Sequence, residues 1–356
     1  MRRTRVAVAM SGGVDSSVAA AVLKRKGYDV FGLTLQLASG ASRCCSTEDV
    51  RDARSVARKL GIPHYVVPMQ EPFREAVIET FLREYEAGRT PNPCAVCNPK
   101  IKFGSLLEKA LSLGAEKLAT GHYAVVSRDP QTGRYHLRRG KERGKDQSYF
   151  LARLSQEQLS RALFPVGNYP KRKTRELAER YGLPVASKRD SQEACFIPES
   201  GVAAFIEAER GRTFPAGPIV RADGRVIGSH RGIVGVTVGQ RKGLGIATGE
   251  KTYVIRIDAD RNTVVVGGES ELYQKVLAGK EAHWVSIPEI DRPVRMKVRI
   301  RYRHIAQWAV VSPEPGGRVR VVFDKAQRAI TPGQLAVFYL DDRVAGSAWI
   351  ESAGEK

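Results

Sequence analysis

Val6-Ala7-Val8-Ala9-Met10-Ser11-Gly12-Gly13-Val14-Asp15-Ser16-Ser17 runs from a short apolar strand through a glycine-rich turn into a helix. The glycines let the backbone approach an anion and offer N–H groups with no Cβ in the way. Ser11, Ser16 and Ser17 add hydroxyl donors, and the following helix aims its positive end at the turn. The turn lacks the Gly-Lys-Ser/Thr ending of a Walker A loop, so it is not read as a site that hydrolyses a γ-phosphate. A ligand-free tight turn is the plain alternative for any glycine pair. The run S-G-G-x-D-S after an apolar strand is far more specific than that.

The segments that follow keep the strand–helix rhythm. Ser17 to Lys26 reads as a helix stopped by Gly27, and Val30 to Leu35 as a second strand. Glu48 to Leu60 is a helix with Val50, Ala53, Val56, Ala57 and Leu60 inward and Ser46 or Thr47 as its cap. His64 to Val67 is a third strand and Glu71 to Ala87 a helix. After a Pro-rich loop at Thr90 to Cys94 come a helix near Phe103 to Leu113 and a strand near Lys117 to Thr120. Such a series predicts an α/β doubly wound parallel sheet with ligands at the carboxyl ends of its strands. There Leu33, Thr34 and Leu35 would lie beside an adenine, and Thr120-Gly121-His122 would end a strand at the same edge.

From about Thr213 glycine and proline become frequent and short β-branched runs dominate: Val234 to Val238, Tyr253 to Ile257, Thr263 to Val266, Val294 to Tyr302, Val319 to Phe323 and Leu335 to Tyr339. This predicts smaller β-rich domains, including a C-terminal β-barrel. The expected domains are 1–210 (nucleotide binding and catalysis), 211–275 (a small central β-rich unit) and 276–356 (the barrel, contacting RNA).

With 42% hydrophobic and 27% charged residues the composition is that of a soluble protein. No apolar run nears the ~20 residues of a membrane helix. The basic start, Met1 to Arg5, leads straight into a strand rather than a signal-peptide core, so the expected location is the cytoplasm and no membrane partner is expected. A net charge of +20, from 58 Lys and Arg against 38 Asp and Glu, points to a polyanionic partner such as nucleic acid. Arg295, Lys297, Arg299, Arg301 and Arg303 alternate with apolar residues, which would set these cations on one strand face. Arg138-Arg139, Lys141, Arg143, Lys145 and Lys171-Arg172-Lys173 would extend the patch.

The chain has five cysteines, an odd number that argues against a disulfide framework. Cys94-Ala95-Val96-Cys97 is a C-x-x-C that suits a redox couple, half a zinc site or part of an iron–sulfur site. Zinc would need two further ligands, and a thioredoxin-like role does not suit the motif's position. Cys195 follows the basic pair Lys188-Arg189, and nearby cations would stabilise its thiolate. Cys44 and Cys45 read as incidental or structural thiols.

The S-G-G-V-D-S turn resembles the PP-loop of the ATP pyrophosphatases, which have the adenine-nucleotide alpha-hydrolase-like fold, cleave between the α- and β-phosphates and transfer AMP to an oxygen. The chain as a whole resembles the bacterial tRNA-specific 2-thiouridylases. The likeness is carried by this loop, Gly88-Arg89-Thr90-Pro91-Asn92-Pro93 with Cys97-Asn98, Lys102-Phe103, Ala119-Thr120-Gly121-His122-Tyr123, Lys145-Asp146-Gln147-Ser148-Tyr149, the Cys195 segment, the glycine-rich run 239–245, Arg301-Tyr302-Arg303 and Pro332-Gly333-Gln334.

The resemblance implies that ATP, with Mg2+, adenylates C2 of a wobble uridine in tRNA and that sulfur then displaces AMP. Ala9, Met10, Ser11, Gly12, Gly13, Val14, Asp15, Ser16, Leu35 and Gly121 would hold ATP. Cys195 would carry a persulfide that Cys97 attacks, and Asn92, Pro93 and Cys94 would face the target base. His122, Lys145, Asp146, Gln147, Arg301, Tyr302 and Gln334 would touch tRNA. Sulfur would come from a cysteine desulfurase, a sulfur-relay protein or free sulfide.

Many members of the family carry Asp where this chain has Cys94. The set Cys94, Cys97 and Cys195 is similar to that of thiolases holding a [4Fe-4S] cluster with one open iron, so cluster and persulfide chemistry both stand as readings. Two other functions stay open at the sequence level: a PP-loop synthetase or amidotransferase adenylating a small substrate, and a non-enzymatic RNA-binding protein with ATP as a structural ligand.

Overall fold

The structure, a computed structural model, describes residues 3–37, 47–189, 195–247 and 249–354. The expected cap at Ser46, together with Cys44 and Cys45, lies outside the described residues. The chain begins with β1 (Arg5–Ala9), α1 (Val14–Arg25), β2 (Asp29–Gln36), α2 (Thr47–Leu60) and β3 (His64–Pro68). Helices α3 (Gln70–Phe73) and α4 (Glu79–Glu86) follow, joined through a π-helical turn. Next come α5 (Pro93–Cys97), a π-helical segment Asn98–Ser105, α6 (Leu106–Ser112) and β4 (Lys117–Ala119).

The parallel sheet takes the order β3-β2-β1-β4-β7, where β7 is Ala162–Leu163. Val6, Val8 and Leu33 are wholly buried, as expected for central strands covered on both faces by helices. The order reverses beside β1, which pairs with β2 on one side and β4 on the other. That switch point opens a crevice at the carboxyl ends of β1 and β4. The glycine turn and Thr120-Gly121-His122 both lie there.

A hairpin not read from the sequence, β5 (Ala124–Arg128) and β6 (Tyr135–Arg139), leaves this sheet and joins another. Its signal was present: Asp129-Pro130-Gln131-Thr132-Gly133 between two alternating runs. The connecting helices are α7 (Ser148–Leu151), α8 (Gln156–Arg161), α9 (Lys171–Arg180) and α10 (Gly201–Arg210).

The second sheet has β8 (Gly217–Arg221), β9 (Val226–His230), β10 (Tyr253–Asp258) and β11 (Thr263–Gly267) in the order β10-β11-β8-β9. Val234 to Val238 is not a strand. A short 3-10 turn, Ile233–Gly235, follows Gly232 at φ +116°, and Ile233 and Val236 fill the core beneath the sheet.

The remaining strands are β12 (Tyr273–Trp284), β13 (Val294–Arg299), β14 (Gln307–Glu314), β15 (Arg318–Arg328), β16 (Leu335–Leu340) and β17 (Arg343–Ala353). They run β12-β15-β14-β13-β16-β17, and β17 pairs back onto β12, closing an antiparallel barrel. Closure removes both sheet edges. The hairpin docks on the barrel by the pairing Arg343↔Arg138 and an Arg138–Asp342 ion pair of 2.8 Å.

Candidate active site

Met10 to Gly13 connect β1 to α1 without a side-chain cap, so the first N–H groups of α1 face the crevice. Ser16 and Ser17 do not offer their hydroxyls to a ligand as expected. Both donate to the Gly13 carbonyl, at 3.1 and 2.8 Å, and Ser16 Oγ accepts from Ser11 N at 3.2 Å. The hydroxyls therefore hold the shape of the loop, taking up the Ser11 amide and leaving the uncapped start of α1 to meet an anion.

Gly12 has φ +70°, and a Cβ there would lie 2.5 Å from the Asp49 carbonyl oxygen. Gly121 was expected to admit a nucleotide. What lies against it is the loop itself, since a Cβ would stand 2.6 Å from Ser16 N. Asp15 is gripped from outside the loop. Lys171 Nζ lies 2.7 and 2.8 Å from its two carboxylate oxygens, and the Tyr123 hydroxyl donates to it at 2.8 Å. Neither partner was read from the sequence as part of this site. On the other flank Leu33 and Leu35 are buried. Thr34 donates to the Met10 carbonyl at 2.7 Å and lies 2.8 Å from His64 Nε2, so β2 is pinned to the end of β1. Burial, then Arg54, keeps His64 below its ordinary value, which suits a neutral ring donating to Thr34.

The C-x-x-C does not lie in a loop; it is α5. Asn92 caps this helix by accepting from Ala95 N at 3.2 Å and is itself buried, and Pro93 takes the first-turn position where a missing N–H costs nothing. Cys94 and Cys97 share one helical face at i, i+3. Asn98 donates to the Cys94 carbonyl at 3.0 Å and the Phe150 carbonyl at 3.1 Å, tying α5 to α7.

Cys94 has exposed surface, yet its thiol sits deep enough between walls of protein for desolvation to push it up. Lys102 pulls it down in part, and Cys195 pushes it up further. Lys102 also acts on His122, which desolvation holds well below its ordinary value. That ring is neutral at physiological pH, with Nδ1 2.6 Å from Thr120 Oγ1 and an edge-on contact to Phe164. Lys102 is thus near enough to act on both Cys94 and His122, and Cys195 to act on Cys94, with His122 next to Gly121 and the loop it packs on. Lys102 sat in a motif read from the sequence, but its place between cysteine and histidine needed the fold.

Cys195 is exposed and held by its neighbour Phe196, whose ring packs on Phe73, Phe81 and Phe205 at 5.8, 5.1 and 5.3 Å. Lys188, expected to favour its thiolate, bonds Asp49 at 2.9 Å and Asp52 at 2.5 Å on α2 instead. Among the described residues no three of His, Cys, Asp and Glu come together as a metal-ligand group.

The model of the tRNA methyl transferase HUP domain matches residues 4–199, that of the tRNA methyl transferase PRC-barrel domain 203–268, and that of the aminomethyltransferase beta-barrel domain 274–350. The tRNA-specific 2-thiouridylase MnmA of Acetivibrio thermocellus is 48% identical over 99% of this chain and 100% of its own length. The proteins of that name from Solibacter usitatus and Heliobacterium modesticaldum are each 50% identical over 97% of this chain, covering 99% and 92% of theirs. The chain belongs to the tRNA-specific 2-thiouridylase family. It is a tRNA-thiolating transferase of the ATP-using PP-loop kind.

In this 2-thiouridylase the barrel reaches back to the cysteine helix. Thr90 N donates to the Pro332 carbonyl at 2.9 Å, and Gln334 Nε2 donates to the Thr90 and Pro91 carbonyls at 3.0 and 3.1 Å. Gly333, at φ +88°, is needed because a Cβ would stand 2.9 Å from Thr90 O. Tyr302 stacks on Phe150 with ring centroids 4.4 Å apart.

Several residues expected to touch tRNA are engaged within the protein. Asp146 is buried, with Arg139 at 2.9 Å, Arg299 at 3.4 Å and the Gly140 and Ser148 amides at 3.1 Å. Gln147 accepts from Tyr123 N at 3.0 Å. The alternating cations do not share one open face. Strand β13 ends at Arg299, which is buried, and Arg301 bonds the Arg328 carbonyl at 2.9 Å. Arg295, Lys297 and Arg303 are exposed and Lys145 half-buried. Trp308, 45% exposed, has Arg295 and Lys297 over its ring at 5.3 and 5.1 Å. No described helix is long and apolar enough to cross a membrane.

Proposed function

We propose that this chain converts the wobble uridine of its tRNA substrates to 2-thiouridine. The observation that carries the reading is the adjacency, at one sheet edge, of an uncapped helix start after a glycine turn and a group of cysteines with a lysine and a neutral histidine. Ala9 to Ser16, with Leu35 and Gly121 beside them, form the ATP site. Mg2+ would enter on the triphosphate and offset charge on the leaving pyrophosphate, since the oxygens of Asp15, the one carboxylate of the loop, are held by Lys171 and Tyr123.

The uridine O2 attacks the α-phosphorus, pyrophosphate leaves, and the C2–O bond becomes a good leaving bond. The terminal sulfur of a persulfide on Cys195 then attacks C2 and AMP departs, leaving a Cys195–S–S–C2 adduct. The Cys97 thiolate attacks Cys195 Sγ, the S–S bond breaks toward the base, and 2-thiouridine leaves with a Cys97–Cys195 disulfide behind. A thiol reductant resets the pair. Lys102 offers the positive charge that steadies thiolates in this group, and neutral His122 offers a hydrogen bond rather than a charge. A site closed over the bound base would exclude the water that hydrolyses the activated base.

The cluster reading assigns Cys94, Cys97 and Cys195 to a [4Fe-4S] centre, which would bind hydrosulfide at an open iron. Among the described residues the three thiols do not come together as a three-ligand group. The sulfur donor is a cysteine desulfurase or a relay protein, which passes on persulfide-level sulfur, or sulfide, which would form the Cys195 persulfide by attacking Cys195 Sγ of the Cys97–Cys195 disulfide and releasing the Cys97 thiol. We assign 1–210 to ATP and catalysis, 211–275 to the central β-rich unit and 276–356 to the barrel. Lys145, Arg301, Tyr302 and the exposed Arg295, Lys297 and Arg303 meet tRNA. Asn92, Pro93, Asp146, Gln147 and Gln334 shape the cleft that the base enters.

The test is mass spectrometry of tRNA nucleosides after incubation with ATP and a sulfur donor, aerobically and anaerobically, with iron and acid-labile sulfide assayed on anaerobically purified protein. The persulfide route predicts 2-thiouridine from iron-free protein and its loss in Cys97→Ser and Cys195→Ser. Product made only by iron-loaded protein would replace that route with the cluster. No thiolated nucleoside under any condition would overturn the proposal.

A further inference from the structure

Lys171 opens α9 and stands in sequence with Arg172 and Lys173 as one basic run. The helix separates them. The side chain of Arg172 is 88% exposed and that of Lys173 41%, whereas that of Lys171 is 10% exposed and turned toward α1. Its ammonium reaches both oxygens of Asp15 across 156 residues of sequence and lies 5.8 Å from the Tyr123 ring centroid. The start of α9 is fixed for this task. Lys171 N donates to Glu142 Oε2 at 2.5 Å, and Thr174 Oγ1 lies 3.0 Å from the same Tyr123 hydroxyl that bonds Asp15.

Residues 9–17 hold one charged side chain, Asp15, and no cation. The anion-binding end of α1 therefore carries a carboxylate in its first turn, which alone would repel a polyphosphate at contact distance. A cation so little exposed is kept only where a partner answers it.

We infer that Lys171 is a positioning residue of the nucleotide site. From α9 it supplies the positive charge that the loop lacks, cancels the Asp15 carboxylate and, with Tyr123, presets its orientation, so that the triphosphate can dock on the backbone amides. This rests on reading the loop as the ATP site. It removes Lys171 from the RNA-facing patch.

The test measures ATP binding to the full-length protein by calorimetry, in EDTA and in Mg2+, and tRNA binding by filter retention. Lys171→Met is expected to lower affinity for magnesium-free ATP by about tenfold or more, with tRNA affinity changed by less than about twofold. Mg2+ should recover more of the loss in the variant than it adds to the parent, because the metal replaces the missing charge. Lys171→Arg should retain most of the binding. The double variant Asp15→Asn with Lys171→Met should bind magnesium-free ATP better than Lys171→Met alone, a non-additive rescue. It has no uncompensated carboxylate, so it keeps the test decisive where the single variant fails to fold. Loss of tRNA binding with ATP binding intact would return Lys171 to the RNA surface. An ATP loss that is equal with and without Mg2+ and not rescued by Asp15→Asn would reduce Lys171 to packing. A parent protein that binds no ATP would instead overturn the loop's reading.

Discussion

The crevice at the parallel sheet and the outer wall of the barrel use their cations in opposite ways. Beside the loop, Lys171 is held by Asp15, and Lys188 by Asp49 and Asp52. On the barrel wall Arg295 and Lys297 stand exposed about Trp308, although Arg295 also meets Asp324 at 2.7 Å. Arg299 shows what separates the two behaviours. It follows Arg295 and Lys297 in strict alternation and points to the same side of β13, yet it is buried. Docking of the first domain has covered that part of the wall with Asp146 and Tyr149. A charge in an alternating run takes its role from what the fold lays against it.

The largest break in this comparison comes from reversing Arg299. Arg299→Glu would set a carboxylate against buried Asp146, which costs roughly 3–5 kcal/mol of stability, as for other broken buried pairs. Thermal denaturation should show a clearly lowered Tm. An unchanged Tm with weakened tRNA binding would mean that Arg299 faces RNA after all. Arg295→Glu should do the converse. Its Tm should stay within about 1 °C for a surface change, while tRNA affinity falls and the slope of log affinity against log salt drops by about 1. An unaltered salt slope would remove the barrel wall from the RNA footprint.

A third effect concerns pH. His304, at the turn after β13, is pushed down to about 4, by burial first and then by Arg301. The unfolded chain therefore binds a proton that the folded one refuses between about 6.5 and about 4, so stability is present above that window and lost as pH falls through it. Urea midpoints should drop across this range and flatten in His304→Gln. A parallel drop in the variant would assign the effect to other groups.

The sheet was legible because its signals are local. An apolar strand, a glycine turn and an amphipathic helix each state their own conformation, and β1, α1, β2 and β3 fall close to where periodicity put them. The closed barrel was legible as a class but not in its details. Short runs such as Val234 to Val238 satisfy a strand pattern while glycines turn them into loop. The candidate site divides the same way. Ser11 to Ser16 announce an anion site by themselves, whereas the grip of Lys171 on Asp15 and the place of Lys102 beside Cys94 and His122 depend on contacts between distant segments. Asp146 and Gln334 were marked by motif, and what the motif could not give is that their side chains bond within the protein.

The proposed function requires coupling between the two ends, with ATP spent at the loop only when tRNA is bound. The most direct measurement is pyrophosphate release alongside 2-thiouridine formation, with and without tRNA. Negligible release is expected without tRNA and, with it and a sulfur donor, pyrophosphate and 2-thiouridine in equal amounts. Pyrophosphate released at the same rate without tRNA, or 2-thiouridine formed with none, would contradict the proposed function.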